Sequence, residues 1–168
     1  MKRINALLCR KATMKDFDNL CRLRSQLAFD PEDNLTTEYA AYQPENDSAW
    51  IKRCLKSRNK IILIATDKKK IYAHAIIAIT TLSKKMKPYY TYHQKALLVH
   101  LYVDINHRHQ GIGQALLKYT IQYLKEYGVD FIDLECYLYN EKAKNLYNKT
   151  GFHDVFVTKR LSFKEPGI

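Results

Sequence analysis

Apolar and polar positions alternate along this chain in two rhythms, one of period two and one near 3.6, and the switches between them outline its elements. Leu7-Leu8-Cys9-Arg10 reads as a short first strand. Thr13-Met14-Lys15-Asp16 is a capping-box-like start to a helix on which Phe17, Leu20, Cys21, Arg24 and Leu27 fall at helical spacing. The run Asp30-Pro31-Glu32-Asp33-Asn34 reads as a loop. A second helix begins around Ser48, with Trp50, Ile51, Cys54 and Leu55 on one face. Two β-rich runs, Ile61–Ala65 and Ile71–Thr80, flank the basic turn Thr66–Lys70 as an antiparallel hairpin. Ser83–Lys95 is polar and tyrosine-rich and reads as a loop before a fourth strand, Ala96–Val103.

A helix from about Gly113 to Tyr127 turns Leu117, Ile121 and Leu124 inward and Lys118, Gln122 and Lys125 outward, and Gly128 ends it where a left-handed cap is expected. A fifth strand, Phe131–Leu138, and a helix, Asn140–Thr150, follow; the helix carries Ala143, Leu146, Tyr147 and Thr150 on one face. Gly151 stops it, and Phe152–Phe163 reads as a final strand. The order βααβββαβαβ is that of a single α/β domain over residues 1–168, a mixed sheet with helices on its faces.

Composition narrows the function classes. The chain has 168 residues, 46% of them hydrophobic and 27% charged, as in an ordinary globular domain with a sizeable core. No apolar run approaches the roughly 20 residues that span a bilayer. Near the N-terminus, Asn5 interrupts a very short apolar stretch and Arg10 and Lys11 follow, so no secretory leader is read and a cytoplasmic location is expected. Cys9, Cys21, Cys54 and Cys136 form no C-x-x-C pair, which argues against a metal site or a disulfide framework and for buried thiols. The net charge of +11 attracts polyanions: nucleic acid, an acidic substrate, or a cofactor with several phosphates.

One stretch discriminates among these. From Val99 to Val103 a hydrophobic strand leads through Asp104-Ile105-Asn106-His107 into Arg108-His109-Gln110-Gly111-Ile112-Gly113, a glycine-bearing turn that opens a helix. Backbone N–H groups and the helix dipole converge there on one point, and a glycine lets the backbone approach a phosphate closely. Arg108 can add a fixed charge. Neither G-x-x-x-x-G-K-[ST] nor G-x-G-x-x-G is present, so the P-loop and the dinucleotide fingerprint are excluded.

Arg108-His109-Gln110-Gly111-Ile112-Gly113 resembles the [QR]-x-x-G-x-[GA] motif of the GNAT superfamily of acetyl-CoA-dependent N-acetyltransferases, and Leu101-Tyr102-Val103 its strand-four signature. Asn140-x-x-Ala143-x-x-Leu146-Tyr147-x-x-x-Gly151-Phe152 resembles its second signature at the expected interval. The likeness is close over residues 96–152 and only topological before them. It implies a mostly antiparallel mixed sheet whose fourth and fifth strands splay apart around acetyl-CoA. The implied cofactor-binding set is Leu101, Tyr102, Val103, Arg108, His109, Gln110, Gly111, Ile112, Gly113, Gln114, Asn140 and Tyr147. Within it, Leu101 and Val103 would offer backbone groups to the pantetheine arm, and the N–H groups from His109 to Gly113 would hold the pyrophosphate. Asn140 would bond the amide arm, and Tyr147 would protonate the departing thiolate. No metal is implied. The partners would be acetyl-CoA and an amine acceptor, with the protein a monomer or homodimer.

The pattern has a gap. Relatives often carry a strand-four carboxylate as base, where this chain has Leu97 and Val99. His100 is the nearest titratable candidate, although strict alternation turns it away from Leu97, Val99 and Leu101 unless a bulge intervenes. Glu135 and His93 are further candidates. Tyr89, Tyr90 and Tyr92 would either wall an acceptor pocket or pack within their loop. A catalytically silent acyl-CoA-binding module is the alternative that the missing carboxylate raises. A nucleic-acid-binding domain is the alternative that the charge raises, but lysines and arginines are spread along the chain and no nucleic-acid motif appears. Residues 30–47 hold six of the seventeen Asp and Glu residues and no Lys or Arg, a reversal of sign that would draw a cationic acceptor.

Overall fold

Two runs in this chain have no polar face. Ile61–Thr66 and Ile71–Ile77 are buried at every position, so the sheet that contains them has to be covered on both sides. In the computed structural model, which describes residues 7–30, 44–67, 69–159, 161 and 163, they lie in the middle of a five-stranded sheet. Its strands are β1 (Leu8–Lys11), β2 (Lys60–Thr66), β3 (Ile71–Thr81), β4 (Gln94–Val103) and β5 (Phe131–Leu134), in that spatial order. Neighbours from β1 to β4 run antiparallel, and β4 and β5 are parallel. The mixed, mostly antiparallel sheet that the resemblance implies is the one that forms.

Alternate side chains of the central strands go to opposite layers. Ile62, Ile64, Ile76 and Tyr102 meet Leu20 and Leu23 of α1 (Phe17–Ala28) and Ile51 and Cys54 of α2 (Pro44–Lys56). Leu63, Ala73, Ala75, Ile77 and Leu98 meet Leu116, Leu117 and Leu124 of α3 (Ile112–Tyr127), with Leu146 and Tyr147 of α4 (Glu141–Lys149) packed at the margin. α2 starts about a turn before Ser48. Glu45 and Asp47 suit the positive end of a helix, but apolar periodicity begins only at Trp50. All four cysteines are free thiols, Cys54 buried and the other three half-buried.

Two expectations are corrected at the β5 end. β5 stops at Leu134 rather than Leu138, because its ladder with β4 runs only from Lys95↔Phe131 to Leu98↔Leu134. The segment expected as a final strand is not one. Residues 152–159 are irregular, and Val155, Phe156 and Val157 are each more than 70% exposed. Side chains of strand-forming type make a strand only where a neighbour completes the ladder, and within the described residues none does so for this segment.

Candidate functional site

The strand-to-helix turn is held from below by ion pairs on two buried carboxylates, Asp104 and Asp30. At the end of β4, Asp104 is wholly buried and accepts the Asn106 backbone N–H at 3.1 Å. Arg22 of α1 lies 3.0 Å from its carboxylate and Lys70 3.2 Å. Burial pushes this carboxyl up, but Arg22, His107 and Lys70 outweigh it and leave the group at about 2. Four residues further on, the Arg108 guanidinium is paired with Asp30, just beyond the end of α1, and lies over the Tyr102 ring. Asp30 also accepts the Tyr102 hydroxyl at 3.2 Å, and Arg108 Nε donates to the Val103 carbonyl at 3.3 Å. The charge of Arg108 is therefore turned into the protein, where it ties the turn to the layer beneath.

Above this base the backbone curls tightly. His109 and Gly111 both have positive φ, 60° and 78°, the kind of alternation from which anion-binding concavities are made. Ala115 is the first residue of α3 to bond back, to Gly111 O at 2.9 Å, so the N–H groups of Ile112, Gly113 and Gln114 open the helix without intrahelical acceptors. No acidic residue stands in that first turn. A Cβ at Gly111 would meet nothing within 4 Å, which leaves an open approach to the turn. One at Gly113 would come within 3.3 Å of Val103, so this glycine lets α3 lie against β4. These residues fit a pyrophosphate.

The remaining predicted positions fall around this turn. Leu101 and Val103 face the α3 layer, half-buried, on the stretch of β4 beyond the last β5 partner, Leu98. Tyr102 points the other way and is 1% exposed, so only its backbone can face a cofactor. Ile112 is buried in the α3 core, while His109 and Gln114 are exposed and Gln110 half-buried. Asn140 caps α4 by accepting the Ala143 N–H at 3.1 Å. Tyr147 is half-buried on α4, edge-on to Phe152 at 5.8 Å.

On the opposite side of β4 lies a cavity of about 530 Å³ lined by Arg24, Asp47, Trp50, Arg53, His100 and Glu135, with Leu97 to Val99 along the strand. His100 reaches it through a bulge: Ile76 pairs with His100 and Ile77 with Leu98, so Val99 is an extra residue. Burial, and then the neighbouring Arg24 cation, push the His100 imidazole down to about 4, against the opposing pull of Asp47. Its Nε2 lies 3.4 Å from Arg24 Nη1, and its ring is edge-on to Trp50 at 5.6 Å. Arg24 in turn pairs with Asp47 at 3.0 Å and lies over Trp50. His100 is thus a neutral wall of this cavity.

Glu135 joins it immediately past the end of β5. His93 does not; its backbone N–H is held by Asp130. Nor do Tyr89, Tyr90 and Tyr92; Tyr92 sits edge-on to Tyr90 and to Phe131 of β5. The aromatic wall is Trp50, and of the cavity's two arginines Arg24 showed in the sequence as a cation on an otherwise apolar helical stripe. Of the acidic segment, Asp30 and Asp47 are taken up in ion pairs, and Glu32, Asp33 and Glu38 lie outside the described residues. Among the described residues no cluster is placed to hold a metal, and no helix is long and apolar enough to cross a membrane.

Comparison with known proteins agrees with this fold. The acetyltransferase (GNAT) family model matches residues 25–152. No curated protein matches the chain. Among solved structures, a tetramutant of the BH1408 protein from Bacillus halodurans is 25% identical, with a TM-score of 0.76 over 93% of this chain and 99% of that one. A predicted acetyltransferase from Clostridium acetobutylicum, solved with acetyl-CoA, is 22% identical, with a TM-score of 0.69 over 94% and 96%. An aminoglycoside acetyltransferase from an uncultured soil metagenomic sample, solved with sisomicin, is 18% identical, with a TM-score of 0.69 over 95% and 98%.

Proposed function

Because the chain belongs to the GNAT acetyltransferase family, we propose that it moves the acetyl group of acetyl-CoA onto a primary amine held in the cavity beside β4. The observation that carries this reading is the position of two sites on either side of one strand. The phosphate-fitting turn follows the half of β4 that lies beyond its last β5 partner, and the cavity opens at the residue where the β5 ladder ends. Acetyl-CoA supplies an activated thioester, and everything else falls to the chain. N–H groups of the turn would hold the pyrophosphate, and the stretch of β4 beyond its last β5 partner, Leu98, would hold the acyl arm. Asn140 and α4 close the other side, and Tyr147 delivers a proton to the departing sulfur.

The amine has to shed a proton as it attacks. His100, held near 4, is a poor base at neutral pH, and its Nε2 is shared with Arg24. Glu135 is the cavity carboxylate free of that pair, and it takes the proton, directly or through water. Arg24 and Arg53 in the wall disfavour a polycation and favour a small or peptidic amine. The test is release of free thiol from acetyl-CoA against a panel of amines. Tyr147→Phe should lower kcat by about 10²- to 10⁴-fold, the usual worth of a positioned acid. Unchanged kcat removes Tyr147 from that role. Acetyl-CoA binding without turnover on any amine gives the site to a silent acyl-CoA-binding module instead.

A further inference from the structure

The charges around the cavity beside β4 are not arranged for a purely cationic guest. Asp47, Trp50 and Arg53 recur at intervals of three along α2, so one face of that helix supplies all three to the wall. Asp47 is already paired with Arg24 at 3.0 Å. His100 beside them is kept neutral by its burial. That leaves Arg53 and Glu135, both exposed at the cavity, with no ion pair or hydrogen bond to each other or to any other described residue. The aromatic surface is occupied as well. A ring face is where an ammonium group without a counter-ion would settle, but Arg24 Cζ and Lys60 Nζ already lie 5.1 Å and 5.4 Å from the Trp50 ring centre. Among the described residues, the cavity therefore offers one unpaired cation and one unpaired carboxylate.

We infer that the acceptor is an amine that also carries a carboxylate, an amino acid or a molecule built like one, and that Arg53 recognises the carboxylate. This rests on reading the cavity as the acceptor site, and it names the class of molecule the site takes. The amine goes to Glu135. The carboxylate goes to Arg53, whose planar guanidinium can bond both of its oxygens through parallel N–H groups. One small zwitterion then matches both unpaired charges. A simple monoamine leaves Arg53 unmatched, and a diamine brings a second ammonium group toward it, where like charges repel. A phosphate monoester carries nearly two negative charges at neutral pH, against one unpaired arginine. The volume of about 530 Å³ lies in the range of small-molecule sites.

Trp50 is the only tryptophan of the chain, so its fluorescence reads occupation of this cavity whether or not turnover follows. The full chain, saturated with CoA, is titrated with the common amino acids, β-alanine and γ-aminobutyrate, and with the carboxamide of each. At least one acid should change the fluorescence saturably and bind about 10- to 100-fold more tightly than its carboxamide, the worth of a hydrogen bond to a charged group. Arg53→Gln, at an exposed position, should keep its helical circular dichroism and its affinity for the carboxamide while losing the preference for the acid. The inference is overturned if no acid in the panel changes the fluorescence, if carboxamides bind as well as acids, or if the preference survives Arg53→Gln. Thiol release from acetyl-CoA with the same panel separates this from the reading on which it rests. Preferred binding of acids without thiol release leaves the carboxylate site standing and removes the transfer. Release that is as fast with amines lacking a carboxylate keeps the transfer and overturns the inference.

Discussion

Acid should unfold this protein in a pH range set by two histidines. His74 is fully buried on β3 in the α1–α2 layer, its ring 6.0 Å from that of Tyr102, and neither ring nitrogen has a partner among the described residues. Burial, and then the proximity of His100 and Arg24, push it down to about 3, and His100 stands at about 4. An unfolded histidine titrates near 6.5. Both folded values lie below that, so the folded state refuses protons that the unfolded state accepts. Stability is therefore full above about pH 6.5 and falls as pH drops toward about 4.

Integrating this linkage from about pH 7.5 to about pH 5 gives a loss of about 2 kcal/mol for each histidine, about 4 together. Asp104 and Asp67, held at about 2, add their own losses only as pH falls below the ordinary carboxylate value near 3.9, so the two ranges separate. Urea melts followed by far-UV circular dichroism at intervals of pH measure the slope. His74→Leu, which puts an apolar group in an apolar place, should remove about half of the loss. A stability that is flat from pH 7.5 to 5, or a His74→Leu slope as steep as that of the unsubstituted protein, would refute the reasoning.

Two further outcomes concern the turn. Asp30→Asn removes the buried carboxylate that pairs with Arg108 and should cost about 3 kcal/mol, a fall in Tm of roughly 6–12 °C for a chain of this size, together with a higher KM for acetyl-CoA; an unchanged Tm in scanning calorimetry means that the pair does not hold the turn. Gly111→Val forces a branched side chain into a left-handed conformation at a cost of about 1–2 kcal/mol and should weaken acetyl-CoA binding in titration calorimetry, whereas equal affinity removes Gly111 from the phosphate site.

Much of this arrangement can be read from the chain. Local rules suffice for the hairpin of β2 and β3, for α3 with its stop at Gly128, and for the motif from Arg108 to Gly113, since each depends on residues near in sequence. What holds the motif in place does not. Asp30 and Arg108 are 78 residues apart, and Arg22 and Asp104 are 82 apart; no periodicity connects a loop acid with a turn cation. The same ion pair removes Arg108 and Asp30 from the open roles that their charges suggest. The cavity is hidden for a different reason. Trp50 and Arg24 sit at positions where helical spacing reads only core, and their polar or aromatic surface matters because α1 and α2 meet β4 beside the departing β5. The loop tyrosines have the more suggestive composition and lie elsewhere.

One extra residue in β4 links the two halves of the candidate site. Up to Leu98, even-numbered side chains such as Ala96 and Leu98 face the α3 layer; after Val99 the odd-numbered Leu101 and Val103 do. The reversal follows from the register, in which consecutive residues Ile77 and Ile76 of β3 pair with Leu98 and His100. Without the insertion, His100 would turn toward α3, and Leu101 would occupy the cavity side. The insertion also falls at Leu98, the last residue of β4 that pairs with β5. A bulged strand bends and twists more strongly than its neighbour, and a parallel partner of four residues cannot follow it. The bend that brings His100 to the cavity therefore falls where the β4–β5 ladder ends, at Leu98. In this chain the end of that ladder and the composition of the cavity wall have a single local cause.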